Sequence, residues 1–250
     1  MLGFAAKITL LASLVLIPLS LWHRGDMPAA ANILPSLDEA PRQTATNAAP
    51  FDISAKGLRC TITPRFKYEL TGMVVSTHDS SSPSDKVHAE WKDHVNVVDL
   101  CVAWGSTLRE EMHKEYNFSN NETFCFAVPK SEKSRRFDLT TVSNNHIVTS
   151  NPSLAAELRK LRPGDQIRFA GYLVNYARRT DEGSWTRVTS TVRTDTGDGA
   201  CEVVFISELE TLRPYENPWH LRLKVGVVLL VVSLLSMVFI FGSERPGRGD

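Results

Sequence analysis

The chain has 250 residues, with 28 Lys or Arg against 28 Asp or Glu, so its formal net charge is zero. Its hydrophobic fraction of 42% is enough for a packed core and excludes a collagen-like, coiled-coil or wholly disordered chain. Because nucleic-acid binders normally carry a basic excess, the balanced charge argues against that class of protein.

The N-terminal segment is predicted to lie in a membrane. Residues 8–22 are almost all apolar, and residues 2–6 lengthen this run. The shorter run is typical of a signal peptide, and the longer one, about 20 residues, of a spanning helix. The small residues 29–31 resemble a cleavage site, but Arg24 and Asp26 separate them from the apolar run. We expect an uncleaved signal-anchor over residues 1–24, with cleavage as the alternative.

The next segment, residues 25–57, is rich in Ala, Pro, Thr and Asn and shows no apolar periodicity. Such a composition is typical of a linker. We expect a flexible tether that separates a folded domain from the membrane.

Residues 58–214 are predicted to form one β-rich domain. Alternating or continuous apolar runs predict strands at residues 66–75, 95–104, 123–128, 166–176, 185–192 and 202–206. Helices are expected at 106–116 and at 151–161, where Asn151 caps and Pro152 begins the helix. Gly72 and Gly171 lie in the middle of two similar alternating strands, which favours sharp coiling around a small barrel. The expected fold class is α+β, mainly β: a small oligonucleotide/oligosaccharide-binding (OB)-like barrel or β-roll with one or two helices, flanked by two transmembrane segments.

The C-terminal apolar segment is the clearest membrane signal. Residues 225–241 carry no charge, and Trp219, Arg222 and Lys224 precede them as an interfacial collar. We therefore expect a transmembrane helix over residues 221–242 and a short tail over 243–250. Two spans place both termini on one side of the membrane. The charges that flank the spans slightly favour a cytoplasmic domain, but the intervening loop is longer than the loops to which the positive-inside rule applies. The export-like N-terminus predicts an extracytoplasmic domain.

Four cysteines, Cys60, Cys101, Cys125 and Cys201, show no zinc-type spacing. An even count in an exported domain fits two disulfides, which allow three connectivities. Cys101 with Cys125 would close a loop of about 25 residues. Cys60 with Cys201 would then join the start of the domain to its last strand. The alternative is that Cys101 is a buried free thiol.

Several stretches resemble a family of uncharacterised bacterial membrane-anchored proteins. They are Ser143-Asn-Asn-His-Ile147, Pro163-Gly-Asp-x-Ile-Arg-Phe-x-Gly-x-Leu173 and, the most specific, Arg193-Thr-Asp-Thr-Gly-x-Gly-Ala-Cys-Glu202. The resemblance covers roughly residues 60–210 and extends to Trp91-Lys-Asp93 and Asp99-Leu-Cys-Val-Ala-Trp-Gly105. It implies a bacterial origin and an envelope location, and it implies no reaction.

One polar cluster contains Arg193, Asp195, Asp198 and Glu202. Its Asp-Thr-Gly triplet matches aspartic proteases, which need two such loops, whereas this chain has one. Calcium binding by the carboxylates lacks the EF-hand spacing. The third interpretation, which we favour, is a glycine-rich β-hairpin turn with solvated carboxylates, in which Gly197 and Gly199 adopt positive φ.

A second cluster combines histidines and aspartates. Its members are His78, His88, His94 and His146, with Asp79, Asp85 and Asp93. The histidines show neither helical i,i+4 spacing nor a His-x-His pair. One interpretation is that two or three of these imidazoles converge on a metal. The expected arrangement is scattered surface histidines, with no metal and no cofactor.

These observations favour a non-enzymatic, membrane-anchored binding or accessory subunit of a bacterial inner-membrane complex, with its domain in the periplasm. No specific reaction is assignable. The expected partners are the lipid bilayer and another envelope membrane protein, and not nucleic acid. The candidate contact residues are Trp91, Asn145, His146, Trp185, Arg193, Asp195, Asp198 and Glu202. The alternative is an envelope hydrolase or metal-dependent enzyme that uses Asp195, Asp198, Glu202 and His146.

Overall fold

A computed structural model describes residues 2–55, 57–136, 138–180, 183–192, 194–197 and 199–243. The chain divides into two compact units. One unit is built on the helices α1 (Leu2–His23) and α5 (Pro218–Ser243), and the other is Pro28–Tyr215.

The two terminal helices pack against each other in antiparallel fashion. The Ser233 hydroxyl donates to Thr9 Oγ1 at 2.7 Å. Gly226 lies so close to α1 that an added Cβ would come within 2.9 Å of the Ile17 side chain. Both helices are long and apolar enough to cross a membrane. The prediction of two such segments is thus confirmed at the level of length and composition.

The second unit consists mainly of strands. They are β1 (Arg42–Ala45), β2 (Phe51–Ala55), β3 (Leu58–Asp79), β4 (Asn96–Ala103), β5 (Tyr116–Asn120), β6 (Cys125–Pro129), β7 (Val142–Val148), β8 (Gln166–Thr180), β9 (Gly183–Arg187) and β10 (Glu202–Arg213). The short helices are α2 (Lys86–Glu90), α3 (Ser106–Arg109) and α4 (Pro152–Leu158). The chain is a mixed α and β protein with more strand than helix and two apolar terminal helices, as the sequence predicted.

Five of these strands pair in a closed circuit. β3 pairs with β8 through residues 60–73 and with β4 through residues 73–79. β4 pairs with β7, β7 with β10, and β10 with β8. The β7–β10 pairing is parallel, and the other four are antiparallel. β1 and β2 add to β3, β9 adds to β8, and β5 with β6 forms a separate hairpin.

The two mid-strand glycines permit this circuit. A Cβ at Gly171 would lie 2.0 Å from the backbone oxygen of Phe205, and one at Gly72 would lie 2.8 Å from that of Ala103. No side chain fits at such distances, so the backbones approach each other where only glycine is accommodated. Each of the two glycines therefore marks a close approach between the backbones of neighbouring strands.

The main apolar core lies on one face of the circuit strands. Alternate residues of β4, Val98, Leu100 and Val102, belong to it. The helix α4 contributes Leu154 and Leu158, and its N-cap Asn151 accepts from the backbone N–H groups of Ser153 and Leu154. The predicted cap of this helix is therefore confirmed, and Leu154 and Leu158 form its buried side.

The helix predicted at 106–116 is interrupted. Only Ser106–Arg109 is α-helical, and a 3-10 turn follows at Met112–Lys114. Glu111 between them has φ 57°, a left-handed conformation that an α-helix does not accept.

The prediction of a flexible tether over residues 25–57 is wrong. The segment contains 3-10 helices at Ala30–Asn32 and Pro35–Asp38, followed by β1 and β2 on the sheet. Leu37 is only 1% exposed, and its carbonyl accepts from Gly105 N–H at 2.8 Å. The physical reason is the length of β3, because this 22-residue strand offers unpaired backbone groups that β1 and β2 satisfy.

Candidate functional site

A buried polar network lies on the side of β4 and β7 opposite the main core. Asp99 of β4 is the register partner of His146 on β7. His146 Nδ1 donates to Asp99 Oδ1 at 2.7 Å, and Asn96 Nδ2 donates to the same oxygen at 2.9 Å. Burial acts to raise the pKa of Asp99, but the interactions with His146 and Asn96 outweigh it and lower the pKa. Asp99 is therefore ionised inside the protein.

A second aspartate–histidine pair is built by the short helix α2. Asp85 is its N-cap and accepts from the His88 backbone N–H through Oδ1. The other oxygen, Oδ2, accepts from His88 Nδ1 at 2.7 Å and from His78 Nε2 at 2.8 Å. The capping position fixes this carboxylate because both of its oxygens are occupied.

Arg187 of β9 joins the two pairs. Its Nη1 lies 3.2 Å from His88 Nε2, and its Nη2 lies 3.2 Å from His146 Nε2. A guanidinium only donates hydrogen bonds, so both Nε2 atoms accept and both histidines carry their proton on Nδ1. The Nε2 atoms, which a general base would present to a substrate, are occupied by Arg187.

Two further buried groups complete the network. Asp93 Oδ2 lies 3.9 Å from Arg187 Nη1 and accepts the hydroxyl of Tyr176. Burial and then the nearby Asp93 charge raise the pKa of Tyr176 well above its usual value. Tyr176 is thus a neutral donor.

Trp91 and Trp185, two predicted contact residues, lie side by side. Their ring centroids are 6.4 Å apart, and Trp185 Nε1 donates to the Trp91 carbonyl at 3.2 Å. Arg178 donates to the same carbonyl at 2.8 Å, beside Lys92 with φ 50°. Trp91 is 45% exposed, so an aromatic surface stands at the end of α2.

A disulfide bond attaches the β5–β6 hairpin to β4. Cys101 and Cys125 are bonded, which confirms that predicted pair. The proposed Cys60–Cys201 bond is wrong, because both cysteines are free. Cys60 packs in a second apolar cluster with Tyr176, whereas Cys201 Sγ contacts the Thr123 carbonyl at 3.4 Å. Burial raises the pKa of Cys60 to about 11, so this thiol is unreactive.

A cavity of about 230 Å³ lies between this hairpin and the loop that precedes β10. Its apolar wall includes Phe124, Leu139 and Val142, and its polar wall includes Asn144 and Asp195. Asp195 Oδ2 accepts from the Ser190 hydroxyl at 2.6 Å. In the same loop Gly197 and Gly199 have φ of 92° and 82°, which confirms the predicted positive φ. The predicted β-hairpin is wrong, because among the described residues β10 pairs with β7 and β8 whereas β9 pairs with β8.

The other candidate residues fall in different surroundings. Asn145 and Glu202 are register partners on β7 and β10 and are buried. His146 is enclosed by the Arg187 network. Among the described residues, the cavity that Asp195 lines includes neither His146 nor Glu202. Arg193 and Asp198 lie outside the described residues.

Two residues around which the network forms, Arg187 and Asp99, were not predicted as site residues. The prediction of scattered surface histidines is wrong for His88 and His146, which are buried. One signal was present, because Asp85-x-x-His88 has the spacing of an N-cap residue and the third helical position. The pairing of Asp99 with His146 needed strand register.

No protein-family model, curated protein or solved structure matches this chain.

Proposed function

We propose that the Pro28–Tyr215 unit is an OB-like barrel that serves as the binding module of a membrane-anchored, non-enzymatic accessory protein of the bacterial envelope. The closed circuit β3-β4-β7-β10-β8 supports the barrel, because OB folds are five-stranded Greek-key barrels. OB folds bind ligands on the face of their second and third strands with the adjoining loops. The corresponding strands are β4 and β7.

The observation that carries this proposal is an apolar surface next to the cavity on that face. We call it the hairpin surface. Its residues are Phe124 (37% exposed), Phe126 (44%), Val128 (55%) and Leu139 (51%). Phe124 and Leu139 also line the cavity. The ring centroids of Phe124 and Phe126 are 6.1 Å apart, and grouped exposed apolar side chains are typical of a protein–protein contact.

The chemistry of the surface favours a protein partner. The cavity wall carries the carboxylate of Asp195, which repels a phosphate backbone, and the chain has no basic excess. The cavity volume of about 230 Å³ suits one side chain of a partner rather than a large cofactor. We therefore infer that another membrane-complex protein inserts a side chain between the hairpin and the 194–201 loop.

The proposed location is the periplasmic side of the inner membrane, with both termini in the cytoplasm. The Cys101–Cys125 disulfide supports it, since such bonds persist in oxidising compartments. A phosphatase reporter fused after Asp250 should be inactive, and a fluorescent protein fused there should fluoresce. An active phosphatase would show the opposite orientation, with both termini in the periplasm and the domain in the cytoplasm.

The partner contact is tested by photo-crosslinking in the cells that produce the chain. A benzoylphenylalanine at Phe126 should give a discrete adduct, which a Phe124→Ser change in the same chain should abolish. The matched control places the crosslinker at Ser54, an exposed residue of β2. Equal adducts at Phe126 and Ser54, or none at Phe126, would refute the hairpin surface as the contact.

A further inference from the structure

Three metal-ligating atoms converge at the end of β3 and the start of α2. His78 Nε2, Asp85 Oδ2 and His88 Nδ1 all lie within 4.8 Å of one another. We propose that these residues bind one divalent transition-metal ion of the zinc class. This site is independent of the hairpin surface.

The donor set identifies the class of metal. Two imidazole nitrogens and one carboxylate oxygen are a zinc-type set with three protein ligands, which leaves a fourth position for water or another donor. Calcium and magnesium prefer oxygen ligands, so a site with two nitrogens selects against them. In the metal-free protein the Asp85 carboxylate oxygen accepts two N–H groups, and a cation would replace both protons at that oxygen.

The site is pre-organised and has one open side. The side chains of Asp85 and His88 are 0% and 1% exposed, whereas that of His78 is 15% exposed. Asp85 is held by the α2 cap, and His88 is fixed on the same helix. A metal ion would therefore enter beside His78 and meet two ligands already in place.

The neighbours of His88 supply a second shell. When Nδ1 binds a metal, the proton moves to Nε2, which then needs an acceptor. Asn96 lies 2.8 Å from that atom, and its Oδ1 has no hydrogen-bond partner among the described residues. Rotation of the Asn96 amide by half a turn would present this oxygen to His88 Nε2–H. The rotation would also break the bond from Asn96 Nδ2 to Asp99 Oδ1, so metal binding has to offset that loss. Arg187 favours the metal-free tautomer and so weakens binding without preventing it.

The experiment uses the full chain, purified in detergent without a histidine tag and stripped with a chelator. Titration with Co²⁺ should give visible absorption bands of a nitrogen- and oxygen-ligated site that saturate at one ion per chain. Zn²⁺ should displace the Co²⁺ and abolish the bands. The Zn²⁺ dissociation constant is then measured by competition with a chromophoric chelator.

Two variants locate the site. His78→Ala removes the ligand that is partly exposed, and Asp85→Asn keeps an N-cap side chain while removing the charged ligand. Each should weaken Zn²⁺ binding at least tenfold. The matched control is Asp79→Asn, which changes a neighbouring carboxylate that contacts Ser81 and Arg159 instead. Its affinity should equal that of the original chain.

The outcomes separate cleanly when circular dichroism shows that a variant is folded. The site is supported if Zn²⁺ binding is saturable and if His78→Ala or Asp85→Asn weakens it while Asp79→Asn does not. The absence of one-to-one binding overturns it. The proposal is also overturned if neither His78→Ala nor Asp85→Asn changes the affinity for Zn²⁺.

Discussion

His88 and His146 are both buried and have the same kinds of immediate partners, but the aspartates that they bind differ in their third partner. Each donates Nδ1–H to an aspartate, Asp85 or Asp99, and each accepts from Arg187 through Nε2. One arginine therefore sets the tautomer of two imidazoles on separate elements.

The difference lies in the third partner of each carboxylate. Asp85 is shared with His78, which reaches solvent, whereas Asp99 is shared with the buried amide of Asn96. The same pair is thus an enclosed structural unit at His146 and a unit with an open side at His88. The exposure of the aspartate's third partner therefore separates a candidate ligand site from a core interaction. The aspartate–histidine contact itself is the same in both.

Removal of Arg187 should have the largest effect on stability, because this arginine contacts both aspartate–histidine pairs. Arg187→Met leaves buried carboxylates without their nearby cation, and we expect a loss of about 3 kcal/mol or more in the free energy of unfolding. Urea unfolding of the detergent-solubilised chain measures it. The control Arg168→Met breaks the partly exposed pair with Glu69 and should cost under about 1 kcal/mol. Equal losses in the two variants would contradict a central role for Arg187.

Asp99→Asn tests the enclosed half, with an expected loss of about 2 kcal/mol at pH 7. The folded-state pKa of Asp99 is lowered below the unfolded value of about 4, so its contribution is present above that pH. The contribution is lost as the pH falls through the lower folded-state pKa. The difference in unfolding free energy between the original chain and the variant should therefore narrow below about pH 4. A difference independent of pH from 7 to 3 would show that the carboxylate charge is not the cause.

Asp85 tests the open half with two substitutions. Asp85→Ala removes the α2 cap and should destabilise the metal-free chain by about 1 kcal/mol more than Asp85→Asn, because Asn caps helices as well as Asp does. Thermal unfolding in the presence of a chelator measures both. A larger loss for Asn than for Ala would mean that capping is not what fixes this carboxylate.

His78→Ala should have the smallest effect on stability. Asp85 keeps its bonds to His88, and the His78 side chain is partly exposed, so we expect a loss under about 1 kcal/mol without metal. The same chelator-treated unfolding experiment measures it. A loss of unfolding free energy as large as that of Asp99→Asn would mean that His78 is a structural residue like Asn96. The two aspartate–histidine pairs would then not differ in this respect.

Much of the fold could be predicted because its signals are local. The apolar terminal segments, the capped helix at Pro152–Leu158 and the glycines Gly72 and Gly171 follow from composition, capping and backbone freedom. The tether was mispredicted because Arg42–Ala45 and Phe51–Ala55 are ordered by backbone pairing with β3, which the composition of the segment does not show. The Cys60–Cys201 pairing was wrong for the same kind of reason, since cysteine count does not encode which strand faces which.

The sequence by itself determined two apolar end segments and a strand-rich domain between them, because hydropathy and periodicity act over a few consecutive residues. Only the tertiary structure decided that His78, Asp85 and His88 converge, that Asp99 faces His146, and that Arg187 joins the two histidines. The physical reason is that strand register and the path of β9 place side chains that are up to 99 residues apart in the chain within hydrogen-bond distance.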